Sequence, residues 1–204
     1  MTQDQDTLLI NPREYFKGEV NRASKSLKVC LGEEMEFYVV NLLCDFINPQ
    51  KINESMGDES ILGTPLAMLM KKAHEAEYDD QKITTFKRLG DASLYIAGYF
   101  QDYFNRKTFD IKYYIDMGSI AYGSVSNLIR KRKDQETVYS ELSDHFSQLV
   151  DLVAEVSEDS RMGTKDSNIL SIYDRWNRTN SARLRKILEE AGIDPVSTPI
   201  KLAQ

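Results

Sequence analysis

Apolar residues recur at intervals of three and four along nearly the whole chain, and no segment keeps a sustained alternation of two. An α-helix turns once every 3.6 residues, so this spacing gathers apolar side chains on one stripe, whereas a half-buried strand needs every second residue apolar. Valine and isoleucine fall inside the helical stripes rather than in runs of their own. The pattern confines the chain to helix-on-helix packing and predicts an all-α, single-domain bundle of about seven helices. A length of 204 residues suits one domain. We place that domain at 11–194, between a flexible N-terminus at 1–10 and a loose C-terminal tail at 195–204.

Capping signals set the helix starts. Asn11 can cap, Pro12 suits the first helical position and Glu14 stands three residues after the cap. Phe16, Val20, Ala23 and Leu27 follow as one stripe until Gly32 breaks the run. Met35, Val39, Leu42 and Phe46 form the next stripe, ended by Asn48-Pro49. Residues 49–63 read as a loop. Thr64-Pro65 restarts a helix bearing Leu66, Leu69, Met70 and Ala73, and Tyr78-Asp79-Asp80 interrupts it.

Helices over about 81–104 and 111–131 are expected to form an antiparallel hairpin at the centre of the fold, because the first carries apolar residues on two adjoining faces. Both hold small residues: Gly90, Ser93, Ala97 and Gly98 in one, Gly118, Ser119, Ala121, Gly123 and Ser124 in the other. Glycine inside a helix costs about 1 kcal/mol against alanine, and close approach of these two backbones would offset it. Beyond them, Val138, Leu142, His145, Leu149, Leu152 and Val156 predict one long helix over 134–157, whose stripe could carry a homodimer. A short helix from Thr179-Asn180 through Leu184 and Leu188 ends at Gly192.

Several chemistries fail on spacing. Neither His74 nor His145 has a glutamate three residues before it, so the di-iron pattern is absent, and His74-Glu75 is not completed to a zinc protease box. Gly-x-Ser-x-Gly and the phosphate-binding glycine motifs are missing. Asp79-Asp80 does not continue into an aspartate-rich magnesium motif. We assign no catalytic residue, no metal ligand and no cofactor. Cys30 and Cys44, the two cysteines, are expected to be buried reduced thiols.

The net charge of −6 argues against a nucleic-acid partner. The Arg130–Lys133 run is expected to complement a helix C-terminus, the alternative being contact with phosphate or an acidic partner, and Trp176 to pack in a core with Arg175, Arg178, Arg183, Arg185 and Lys186 solvated around it, the alternative being base stacking on its ring. An acidic, polar N-terminus without a long apolar run, and no stretch near the roughly 20 apolar residues of a membrane span, place the chain in the cytoplasm with no membrane contact.

Charged residues on the inner helices define the candidate site. Asp91 sits between Gly90 and Ala92, and Asp116 beside Met117-Gly118. A buried carboxylate must be paired or hydrogen-bonded. Arg88, three residues before Asp91, can pair locally, and tyrosine hydroxyls can supply more bonds. The candidate ligand-binding set is Arg88, Asp91, Tyr95, Tyr99, Tyr113, Asp116 and Tyr122. The alternatives for its carboxylates are a polar network fixing helix register and simple exposure.

The words Phe86-Lys-Arg-Leu-Gly-Asp91, Tyr113-Tyr-Ile-Asp-Met-Gly118 with Ala121-Tyr122, and Arg175-Trp176 with Thr179-Asn-Ser181 resemble an uncharacterised family of bacterial cytoplasmic proteins. The resemblance spans most of the chain, implies bacterial origin and carries no activity. The expected function is a non-catalytic helical interaction or regulatory adaptor with a protein partner or a second copy of itself. The alternative is a small-molecule binder, or an enzyme, with an aromatic pocket between the central helices.

Overall fold

The structure, a computed structural model, describes residues 11–47, 66–99, 111–133, 137–160, 172, 173, 176, 177 and 179–195. Among these it has eight helices and no strand: α1 Pro12–Leu27, α2 Glu33–Ile47, α3 Leu66–Glu75, α4 Asp79–Tyr99, α5 Ile111–Lys133, α6 Val138–Asp144, α7 Phe146–Ser160 and α8 Ala182–Glu190. The 49–63 loop, the Thr64-Pro65 start, the residues beyond Tyr99 in the 81–104 helix, both proposed tails except Pro195, and Arg175 and Arg178 lie outside the described residues.

Helix ends follow the capping signals. The Asn11 side chain accepts a hydrogen bond from the Arg13 N–H at 3.1 Å, with Pro12 opening α1. The helix ends earlier than the glycine suggests: Lys28 takes a left-handed conformation with φ 55°, and the Val29 N–H reaches back to the Ser24 carbonyl. Ser181 caps α8 by accepting from the Leu184 N–H. At its far end Gly192, with φ 79°, lets the Ile193 N–H return to the Leu188 carbonyl.

The centre of the bundle is α4, which packs on α2, α3, α5 and α7, most extensively on α5. The hairpin is antiparallel: Tyr122 in α5 lies over Gly90, and Arg132 at the end of α5 reaches Asp79 and Asp80 at the start of α4. This ion cluster gives the basic run and the Asp79-Asp80 pair a shared role, with acidic groups at a helix N-terminus and a cation at a C-terminus. One face of the hairpin closes on α3 through Phe86, Leu89, Ala92, Ala121 and Val125. The other meets α1, α2, α6 and α7 through Val20, Val39, Leu43, Leu94, Leu149 and Val153. A third cluster joins Ile172 and Trp176 to Leu184 and Leu188.

Three expectations change. The small residues do not chiefly face one another across the hairpin. A β-carbon on Gly90 would lie 2.5 Å from the Tyr122 ring, one on Gly118 2.0 Å from Phe146, and one on Gly98 2.6 Å from Val153. Each glycine seats a large side chain, and the offset to its helical cost is burial of that chain. Ser119 and Ser143 exchange hydrogen bonds from each hydroxyl to the other's carbonyl, at 3.0 and 2.9 Å, tying α5 to α6.

The 134–157 helix is broken at His145, whose φ of −102° and ψ of 15° depart from helical values. The break lets α6 and α7 follow different neighbours. Leu142, Leu149, Leu152 and Val156 are buried inside the chain, so this stripe cannot carry a homodimer; His145 faces solvent against Gln148. Cys30 is exposed in the α1–α2 link rather than buried, and Cys44 is half-buried.

Candidate functional site

Asp91 is the point where three helices exchange polar contacts. It lies on the α4 face that receives α2 on one side and α5 on the other. Its Oδ1 accepts the Tyr38 hydroxyl from α2 at 2.6 Å and the Tyr122 hydroxyl from α5 at 2.8 Å. Its Oδ2 accepts the Lys87 ammonium, one helical turn earlier, at 2.6 Å. The Asp91 side chain keeps 14% of its exposure, so these bonds replace most of its water. Lys87 also stands over the Tyr38 ring at 5.3 Å. Tyr38 meets Tyr122 and Tyr139 edge-on, with centroids 5.9 and 5.7 Å apart.

The charges respond to this enclosure. Burial first, then the Asp91 charge, pushes the Tyr38 and Tyr122 phenols well above their ordinary range. Burial alone would lower the Lys87 ammonium, but the charge and hydrogen bond of Asp91 outweigh it and raise it. The phenols stay protonated and the ammonium stays charged, so all three remain donors to Asp91.

Beside this hub, α2 and α4 leave a cleft of about 440 Å³ lined by Phe37, Tyr38, Asn41, Leu42, Asp45, Phe46, Thr84, Lys87, Arg88 and Asp91. The two helices run in the same sense where they touch. Tyr38 meets Asp91, and further along both helices Phe46 stacks on Tyr95 at 4.0 Å; Tyr95 in turn stacks on Tyr99 at 5.1 Å. Phe37 stays 60% exposed at the cleft, its ring covered in part by the Arg13 guanidinium at 4.8 Å. Neither Arg88 nor Asn41 makes a side-chain hydrogen bond or ion pair among the described residues. No histidine or cysteine is among the cleft's described lining residues.

The expected site residues therefore separate. Asp91 and Tyr122 come together, with Arg88 in the adjoining cleft, but Lys87 rather than Arg88 makes the local ion pair. Tyr95 and Tyr99 stack in turn behind Phe46 and do not line the cleft. Tyr113 and Asp116 do not join them: both are exposed on α5, and Asp116 pairs with Lys112 at 3.0 Å. The cleft lies between α2 and α4, not between the central helices, where Tyr122 fills the room above Gly90. The sequence reading missed Tyr38, Lys87 and Phe37. Lys87 carried a signal, since it stands four residues before Asp91.

A second polar cluster joins the C-terminal part to the bundle. Ser181 donates to Asp151 at 2.6 Å, and Arg183 pairs with Glu155 at 3.2 Å. Arg183 is only 2% exposed, so it is a buried ion-pair partner and not one of a solvated set. Trp176 is buried in the neighbouring apolar cluster, which leaves no ring face for stacking on a base. Among the described residues there is no group of three or more histidine, cysteine, aspartate or glutamate side chains that could hold a metal ion, and no helix long and apolar enough to cross a membrane. No protein family, curated protein or solved structure matches the chain.

Proposed function

We propose that this protein is a non-catalytic binding protein of regulatory type, acting in a bacterial cytosol, and that its ligand seats in the α2/α4 cleft. One observation carries the reading. Both oxygens of Asp91 are taken by donors from within the fold, while Arg88 in the same cleft has no partner among the described residues. A carboxylate whose oxygens hold two phenols and an ammonium from within the fold serves to tie its helices together. An idle guanidinium beside exposed apolar surface is instead equipped for recognition. The bacterial and cytosolic parts rest on the sequence resemblance.

Native mass spectrometry of the protein, purified gently from its own host, tests the reading. Thr84 is exposed on the cleft wall, so Thr84→Trp fills the cleft without entering the core. The expected spectrum shows a bound species on the wild type that Thr84→Trp loses. A bound species that survives Thr84→Trp, or a metabolite turned over by the purified chain, would overturn it. A protein adaptor is the second reading. Its support is the apolar pair Tyr113 and Ile120, two turns apart and exposed on α5, and its signature is a co-purifying protein retained by Thr84→Trp.

A further inference from the structure

Resting on the cleft as the binding surface, we infer that its ligand is a small organic monocarboxylate with an apolar or aromatic body. The carboxylate is held by Arg88 and Asn41, and the body lies against Phe37, Leu42 and Phe46. Asp91 accepts from Tyr38, Tyr122 and Lys87, so the Lys87 charge is already paired, while its ammonium keeps two further N–H donors. The Thr84 hydroxyl donates to the Asp80 carbonyl at 2.8 Å. The polar lining side chains with no hydrogen bond or ion pair among the described residues are the Arg88 guanidinium and the Asn41 amide. A guanidinium offers a planar pair of N–H groups that matches the two oxygens of a carboxylate, and an amide N–H adds a third bond.

Charge selects among anions. Lys87 and Arg88 are balanced along the cleft by Asp45 and Asp91, so the lining carries no net charge. One ligand carboxylate adds a single negative charge opposite Arg88. A phosphate dianion would add two beside Asp45, with no further idle cation among the lining residues to receive the second. The apolar side selects the body. Phe37 is exposed on the helix that supplies Asn41, and Leu42 and Phe46 continue the same wall. A cleft of about 440 Å³ falls within the roughly 300–1,000 Å³ of small-molecule sites, room for one or two rings.

The test titrates the ¹⁵N-labelled full chain with 3-phenylpropionate, indole-3-propionate and octanoate, each beside its primary amide, following α2 and α4 amide shifts. At least one acid is expected to shift these residues and to bind about tenfold more tightly than its amide. Arg88→Gln should remove about that tenfold, Arg88→Lys should keep part of it, and Phe37→Ala should weaken acid and amide alike. Arg88 has no partner among the described residues, so Arg88→Gln should keep the wild-type thermal midpoint, which excludes misfolding as the cause. Equal binding of acid and amide, affinity unchanged in Arg88→Gln, or no shift with any of the acids would overturn the inference. A host-derived amine or neutral molecule lost from Thr84→Trp in the mass spectra would overturn the carboxylate while leaving the cleft reading intact.

Discussion

Replacing Gly90 by alanine puts the packing account under direct strain. The new β-carbon would lie 2.5, 2.6 and 2.9 Å from three atoms of the Tyr122 ring. Ordinary contact requires the ring to withdraw by about 1 Å. Tyr122 is completely buried and its hydroxyl is fixed to Asp91 at 2.8 Å, so withdrawal stretches that bond beyond hydrogen-bonding length. Overpacking costs about 1–3 kcal/mol and a lost hydrogen bond to a charged group about 1.5–3, against a helix-propensity gain of about 1. The net loss is about 3 kcal/mol, or about 6–12 °C in midpoint for a domain of this size. Denaturant unfolding checks it, with Gly18→Ala as the control. Nothing lies within 4 Å of a β-carbon on Gly18, in the interior of α1, so that variant should gain about 0.5–1 kcal/mol. If Gly90→Ala proved as stable as Gly18→Ala, Tyr122 would not be held where the argument places it.

Three further outcomes follow from the same contacts. Asp91→Ala leaves Lys87 and two phenols without their acceptor and should cost about 3–5 kcal/mol in chemical unfolding, while Arg88→Ala should stay within about 0.5. Phenols raised by folding bind their protons more tightly in the native state. Stability from Tyr38 and Tyr122 is therefore complete below about pH 10, the unfolded value, and declines as pH rises beyond it. The alkaline limb of a stability–pH curve should be shallower in Tyr38→Phe. Burial raises the Asp151 carboxyl, so its contribution is complete below about pH 4 and is lost as pH rises through its native value. The midpoint of Asp151→Asn relative to wild type should increase between pH 4 and 7, and a flat difference would contradict the shift.

Local patterns revealed local structure. Asn11-Pro12, the stripe from Met35 to Phe46, the antiparallel hairpin and the Gly192 stop are all set within a turn or two of sequence, and the structure follows them. Asp91 was legible as a carboxylate that needed partners, because it sits between a glycine and an alanine in the helix with apolar residues on two adjoining faces. Tyr38 was not legible as one of them. It lies 53 residues away, and only the packing of α2 on α4 brings its hydroxyl to Asp91. Tyr113 and Asp116 show the opposite error. The core face of α5 runs through Gly118, Ala121, Tyr122 and Val125, and at 3.6 residues per turn Asp116 falls nearly opposite it and Tyr113 well round from it, so both meet solvent. The break at His145 left no trace because the apolar spacing continues across it: α6 and α7 each bury their own part of the stripe against different helices.

Asp91 is consumed by the fold, which leaves Arg88 for the proposed ligand. The hydroxyl protons of Tyr38 and Tyr122 report this directly in proton NMR at neutral pH. Two slowly exchanging, downfield hydroxyl signals are expected, both lost in Asp91→Ala and both retained in Arg88→Gln. Hydroxyl signals that persist in Asp91→Ala, or that vanish in Arg88→Gln, would contradict the assignment of the two residues to separate tasks.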